Sequence, residues 1–173
     1  MDDSLQELQR IVLEKMNQLD FAIDKIEELQ KIPLGWLRKD ATQRHGVTRF
    51  FPGVDLSEGN LSAKDVRKVD LHRALVEEKY LPYGEYVLFH EYCHCLGHAG
   101  HGAGFKSLEK IWPDRKSKAL GRQLTTELRH RMAKWLWTCP SCKRSHPRRR
   151  RSNGRFLCRK CKVYLIDEQG GAN

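Results

Sequence analysis

Leu5, Leu8, Val12, Leu19, Ala22, Ile26 and Leu29 recur at alternating three- and four-residue steps, with polar residues between them. That period belongs to an amphipathic helix and predicts one long helix over residues 4–31. Lys15 takes one position of the apolar stripe. The stripe can pack on its own chain or pair with another, and packing within the chain is the expectation. Pro33 and Gly35 end the helix. Residues 36–65 carry turn signals at His45-Gly46, Pro52-Gly53 and Glu58-Gly59-Asn60. Short strands are expected around Val47–Phe51 and over Val66–Leu71, where apolar and polar residues alternate. The stretch RALVEEKYLP predicts a short helix or irregular segment closed by Pro82, and from Glu85 the pattern turns helical. Phe105, Leu108, Ile111 and Trp112 return at helical spacing before Pro113. Asp114 is the expected cap of a further helix reaching about Trp137. The expected class is α+β: an N-terminal long helix within 1–35, a body of helices with a small sheet over 36–137, and a separate module over 138–168.

Composition narrows the picture. Hydrophobic residues make up 39% and charged residues 31%, too apolar for disorder. No run approaches the roughly 18 apolar residues of a membrane span. Acidic residues stand where a signal peptide would carry its basic region. The expectation is a soluble, cytoplasmic (or, in a eukaryote, nuclear) protein with no membrane partner. Six cysteines in that setting argue for metal sites or free thiols rather than disulfides. The formal net charge is +10, and ten Lys or Arg residues lie between Cys139 and Ile166 without one acid. Concentrated positive charge on a neutral body points to a polyanion, most often nucleic acid. Lys143, Arg144, Arg148, Arg149, Arg150, Arg151, Arg155 and Arg159 are the expected contacts.

The stretch VLFHEYCHCLGHAGHGAGF, residues 87–105, contains an H-E-x-x-H pattern: His90, Glu91 and His94. Histidines four apart share one helix face, so both can reach a single ion. Glu91 is badly placed as a ligand but well placed to take a proton from metal-bound water, the general base of a zinc peptidase. A third ligand is needed. His98 continues the spacing, but three histidines at i, i+4 and i+8 span about 12 Å of helix rise. His101 follows Gly97 and Gly100, where the chain can turn back, and is the expected ligand; Glu109 and Glu127 are alternatives. The metzincin pattern fails because position 100 is glycine. Cys93 and Cys95 read as small buried hydrophobes. His45, His72 and His130 lie in no motif.

Cys139, Cys142, Cys158 and Cys161 form C-x₂-C-x₁₅-C-x₂-C. Four thiolates at this spacing suit a structural zinc, and a module this small needs its metal to fold. Between the pairs, Asn153-Gly154 predicts a hairpin turn. Phe156 and Tyr164 either support the ribbon or stack on bases.

VLFHEYCH followed by GHGAGF resembles the SprT-like metallopeptidases. The resemblance runs from about Gly46 to the C-terminus and takes in VDLHRALVEE upstream. It implies a zincin-like protease domain with a C-terminal zinc ribbon. It assigns one catalytic Zn²⁺ to His90, His94 and His101, and one structural Zn²⁺ to the four cysteines. It also implies an endopeptidase acting on DNA-associated, even DNA-crosslinked, proteins, held on DNA by the ribbon. The alternative is a nucleic-acid-binding zinc-ribbon protein whose H-E-x-x-H domain is catalytically idle and whose role is regulatory.

Overall fold

Val66, Val69 and Leu71 put apolar side chains into the interior from the strand β3 (Val66–Leu71), whose bounds match the alternating pattern in the sequence. In the computed structural model, which describes residues 2–19, 21, 23–57, 61–113 and 117–171, β3 is the centre of a three-stranded sheet. β1 (Leu34–Trp36) runs parallel to it on one edge, and β2 (Gly46–Phe50) runs antiparallel on the other. Asp70 also points inward, where its carboxylate pairs with Arg49 and with Lys68 Nζ at 2.8 Å. Those contacts offset the cost of burying a charge.

The apolar stripe of residues 4–31 forms two helices rather than one: α1 (Asp3–Gln18) and α2 (Ile23–Gln30). Asp2 caps α1 by accepting the Ser4 N–H at 3.1 Å. Leu19 closes the helix by donating to the Met16 carbonyl at 3.0 Å. Phe21 then leaves the helical path and meets the ring of Phe89 edge-on, centroids 6.0 Å apart. Leu5, Leu8, Val12, Met16 and Leu29 are buried within the chain itself. Ala22 lies outside the described residues. Lys15, the charged member of the stripe, pairs with Glu85 and lies over the ring of Trp112.

Two short 3₁₀ turns, Arg73–Val76 and Glu78–Tyr80, precede α3 (Leu81–Cys95). The helix begins earlier than the sequence pattern indicated. Pro82 sits in its first turn, where the missing N–H costs nothing. α3 is apolar on most sides, and Leu88, Phe89, Tyr92, Cys93 and Cys95 are fully buried. Such a helix must be central; it packs against α1, β2 and a short helix, α4 (Ala103–Glu109). Trp112 stacks on Phe89, and the expected cap at Asp114 lies outside the described residues.

The chain divides into two compact units, Met1–Gly121 and Arg122–Asn173. The next helix, α5, is Ser117–Arg131 and does not reach Trp137. Trp135–Thr138 is instead the strand β4, flanked by antiparallel β5 (Ser145–Arg148) and β6 (Ile166–Gln169). Trp135 continues the helical spacing of Leu124, Leu128 and Met132, but two strand partners won. Among the described residues the class is mixed α+β, and no helix is long and apolar enough to cross a membrane.

Candidate metal centres

His90 and His94 stand one turn apart on α3 with ring centroids 5.1 Å apart. The helix ends one residue later. Gly97 then adopts φ 108°, the left-handed region that often follows a helix terminus. This reversal carries His101 back to the pair, its centroid 5.1 Å from that of His90 and 5.0 Å from that of His94. His101 Nε2 lies 3.2 Å from His90 Nε2. One ligand atom from each of the three rings lies within 4.8 Å of the others, so the group could hold a metal ion. Two donors on one tetrahedral ion at about 2.0–2.1 Å stand roughly 3.3–3.4 Å apart. The nitrogen separation fits that demand.

The other ring edges are anchored. His94 Nδ1 donates to the His98 carbonyl at 2.5 Å, so His98 serves through its backbone rather than its ring. His90 Nδ1 lies 2.9 Å from a Glu109 carboxylate oxygen that also accepts from the Tyr86 hydroxyl. Glu109 therefore stands behind His90, not beside its Nε2. Glu127 pairs with Arg131. Neither carboxylate belongs to the histidine group. Burial pushes His90 and His94 below the ordinary imidazole value, which favours the neutral, metal-binding form.

Phe105, a helical apolar position in the sequence and the last residue of GHGAGF, is the floor of the cluster. Its ring centroid is 4.8 Å from that of His90 and 4.7 Å from those of His94 and His101. It is 1% exposed, so it has no other environment. Phe105→Ala is expected to cost about 3–5 kcal/mol of stability and to loosen all three rings together. Chemical denaturation and metal content of the purified variant measure both effects.

Glu91 is 6% exposed, and Thr48 of β2 holds it. The Thr48 hydroxyl lies 2.8 Å from Glu91 Oε2 and 3.1 Å from the Glu91 carbonyl oxygen. β2 approaches this closely because residue 46 is glycine. A Cβ there would fall 2.6 Å from Glu91 Oε1 and 2.7 Å from Val87 Cγ1. Burial raises the Glu91 carboxyl above its ordinary value, while the Thr48 hydrogen bond and the neighbouring His90 act the other way. Nothing local in the sequence marks Thr48, because strand packing on a distant helix puts it there.

The remaining polar groups belong to the frame. Burial pushes His45 down to about 4, and its Nδ1 meets the Tyr83 hydroxyl at 2.9 Å. His72 Nδ1 accepts the Ala74 N–H at 3.1 Å. Gln9 of α1 donates to the Tyr92 hydroxyl at 2.9 Å, tying α1 to the histidine helix. Cys93 and Cys95 are buried, and burial raises both thiols, so they are inert.

In the second unit the sulfurs of Cys139, Cys142, Cys158 and Cys161 lie within 4.8 Å of one another and could also hold a metal ion. Cys142 Sγ and Cys158 Sγ are 3.8 Å apart. Sulfurs at about 2.3 Å from a tetrahedral zinc would be separated by roughly 3.8 Å. The two pairs share one backbone plan. Lys143 N–H donates to the Cys139 carbonyl at 2.9 Å, and Lys162 N–H to that of Cys158 at 2.8 Å. Both lysines adopt positive φ, 59° and 58°. Backbone N–H groups of Cys161 and Lys160 pull the Cys158 thiol down to about 6, favouring thiolate.

A turn forms at Asn153-Gly154, closed by the Arg155 N–H on the Ser152 carbonyl at 3.1 Å, but no described strands pair across it as the expected hairpin would require. Lys143, Arg144, Arg148, Arg149, Arg150, Arg151, Arg155 and Arg159 are all exposed. Arg144, Arg148 and Arg159 line a groove of about 520 Å³ together with Trp137 and Phe156. Trp137 and Phe156 stack with centroids 4.5 Å apart, and Arg148 lies over the Trp137 ring. Arg151 lies over Trp135. Phe156 packs against Trp137 yet is 47% exposed, and Tyr164 is 63% exposed. Family models, curated proteins and solved structures yield no match to this chain.

Proposed function

We propose that this chain is a zinc-dependent endopeptidase of the SprT-like type that acts inside the cell on DNA-associated proteins. The observation that carries the reading is the 3.2 Å approach of His90 Nε2 to His101 Nε2, across a turn built by Gly97, in a group that includes His94. Imidazoles suit zinc, and three of them leave one tetrahedral corner open. Zinc bound there would supply a Lewis acid that acidifies a water and polarises a peptide carbonyl. The chain's own residues do the rest. His90, His94 and His101 hold the ion. Thr48 and the bare backbone at Gly46 fix the Glu91 carboxylate next to it. Glu91 takes the proton of the attacking water and returns it to the leaving amine. A histidine-bearing buried helix flanked by an edge strand is consistent with a zincin-like domain.

The ribbon is the proposed nucleic-acid anchor. Stacked aromatic rings can take a base face, and the arginines around them can take phosphates. Such contacts weaken as salt rises. The SprT-like resemblance extends the proposal to proteins crosslinked to DNA.

Metal content and proteolysis test the reading together. The wild-type chain is expected to carry two zinc ions and to cleave a DNA-bound test protein. His101→Ala is expected to carry one and to cleave nothing. DNA binding by a chain that hydrolyses no test protein would leave the idle, regulatory ribbon protein in its place. Reversing the charges of Arg148, Arg149, Arg150 and Arg151 is expected to weaken DNA binding and leave zinc content at two. If all four touch phosphates, the slope of log affinity against log salt flattens by about 4. A salt titration of binding reads that slope directly.

A further inference from the structure

We propose that Glu109 is the positioning residue of the histidine site: its carboxylate, gripped by the Tyr86 hydroxyl, fixes the His90 ring through Nδ1 and strengthens Nε2 as a metal donor. The inference rests on the reading of His90, His94 and His101 as a metal centre.

Four features point to it. First, the Glu109 oxygen lies 2.9 Å from Nδ1, the ring nitrogen directed away from the Nε2 that faces His101. An anion there selects the tautomer with its proton on Nδ1 and its lone pair on Nε2. Second, the pair is sheltered, with side chains 23% and 17% exposed for His90 and Glu109. Shelter keeps water from screening the carboxylate. Third, the Glu109 oxygen has a second holder. Tyr86 stands four residues before His90 on α3, so both side chains leave the same helix face toward the end of α4. Burial and the carboxylate itself raise the Tyr86 phenol well above its ordinary value, so it stays protonated and donates. Fourth, His101, Phe105 and Glu109 follow one another at four-residue steps. α4 therefore delivers the floor of the cluster and the brace behind His90 together.

The two helix histidines are braced unequally. His94 leans on a neutral carbonyl, that of His98, and His90 on a carboxylate. A carboxylate raises imidazole basicity more, and loss of such a partner usually costs a metal site 10–100-fold in affinity.

Cobalt(II) titration of the full chain, with zinc already in the ribbon, tests the assignment. Visible absorption reports the histidine site, and absent near-ultraviolet thiolate bands show that cobalt has not entered the ribbon. Glu109→Ala is expected to weaken cobalt binding about 10–100-fold and to shift the visible bands. Glu109→Gln keeps the shape without the charge and is expected to fall between Ala and wild type. Tyr86→Phe is expected to give a smaller loss. Melting of each variant, with zinc in the ribbon and no cobalt, is read in parallel. Wild-type cobalt affinity and spectrum in Glu109→Ala, with or without a lowered melting temperature, would reduce Glu109 to a tie between helices and overturn the proposal. If that chain does not fold, Glu109→Gln decides by the same criterion. A wild-type chain with no cobalt site besides the ribbon overturns both this proposal and the metal-centre reading; normal wild-type binding with indifferent variants overturns this one alone.

Discussion

Glu91→Gln is expected to keep two zinc ions per chain and to lose proteolysis by about 10²–10⁴-fold. The substitution changes charge and leaves volume almost untouched. That matters here, because Glu91 Oε1 sits where any Cβ on residue 46 would intrude. Gln fits the same space, and the Thr48 hydroxyl, 2.8 Å from Oε2, finds an amide oxygen in its place. The helix, the three histidines and Phe105 are undisturbed, so metal content is preserved. What disappears is a group able to accept a proton. Turnover of a protein substrate measured beside zinc content separates the two effects. Wild-type turnover by the Gln variant would remove Glu91 as the base. Loss of zinc along with turnover would show instead that the carboxylate helps to hold the ion.

The parts of the site visible in the sequence are those set by local geometry. Helical spacing alone put His90 and His94 on one face, and glycine at position 97 alone permitted the reversal that recruits His101. Cysteine spacing likewise defined the ribbon's four sulfurs. Strand β3 was legible because apolar and polar residues interleave along Val66–Leu71. The parts that escaped depend on partners far along the chain. Thr48 reaches Glu91 through packing of β2 on α3. Phe21, between α1 and α2, meets Phe89 far along the chain. Glu109 showed itself in the sequence only as an alternative third ligand, and its position behind His90 follows from how α4 turns back on α3. Trp135 fitted the helical period of Leu128 and Met132 as well as a strand alternation with Trp137, and β5 and β6 resolved the tie. Lys15 broke an apolar pattern that Glu85 and Trp112 accommodate.

Removing zinc from the ribbon is expected to unfold it, whereas removing zinc from the histidines leaves its frame in place. The difference lies in what each site is made of. The buried core of the ribbon is Cys139, Cys158 and Leu165, with Trp137, Cys142 and Cys161 packed around them. The ligands are most of that core. Without an ion, nothing bonds the four sulfurs to one another, and those that ionise repel their neighbours. Structural zinc in small domains carries about 10–16 kcal/mol of binding free energy, and that energy is folding energy. The histidine site differs. His90 is braced by Glu109, His94 by the His98 carbonyl and Glu91 by Thr48, on a helix buried among apolar neighbours. Hydrogen exchange after chelation should therefore show protection lost across β4, β5 and β6 and retained along α3. Cys158→Ser should reproduce the ribbon half of that result without a chelator, and should abolish DNA binding by dismantling the Trp137–Phe156 stack. Retained protection in β4 after zinc removal would mean that the ribbon is held by its apolar contacts, and the argument that its ligands are its core would fail.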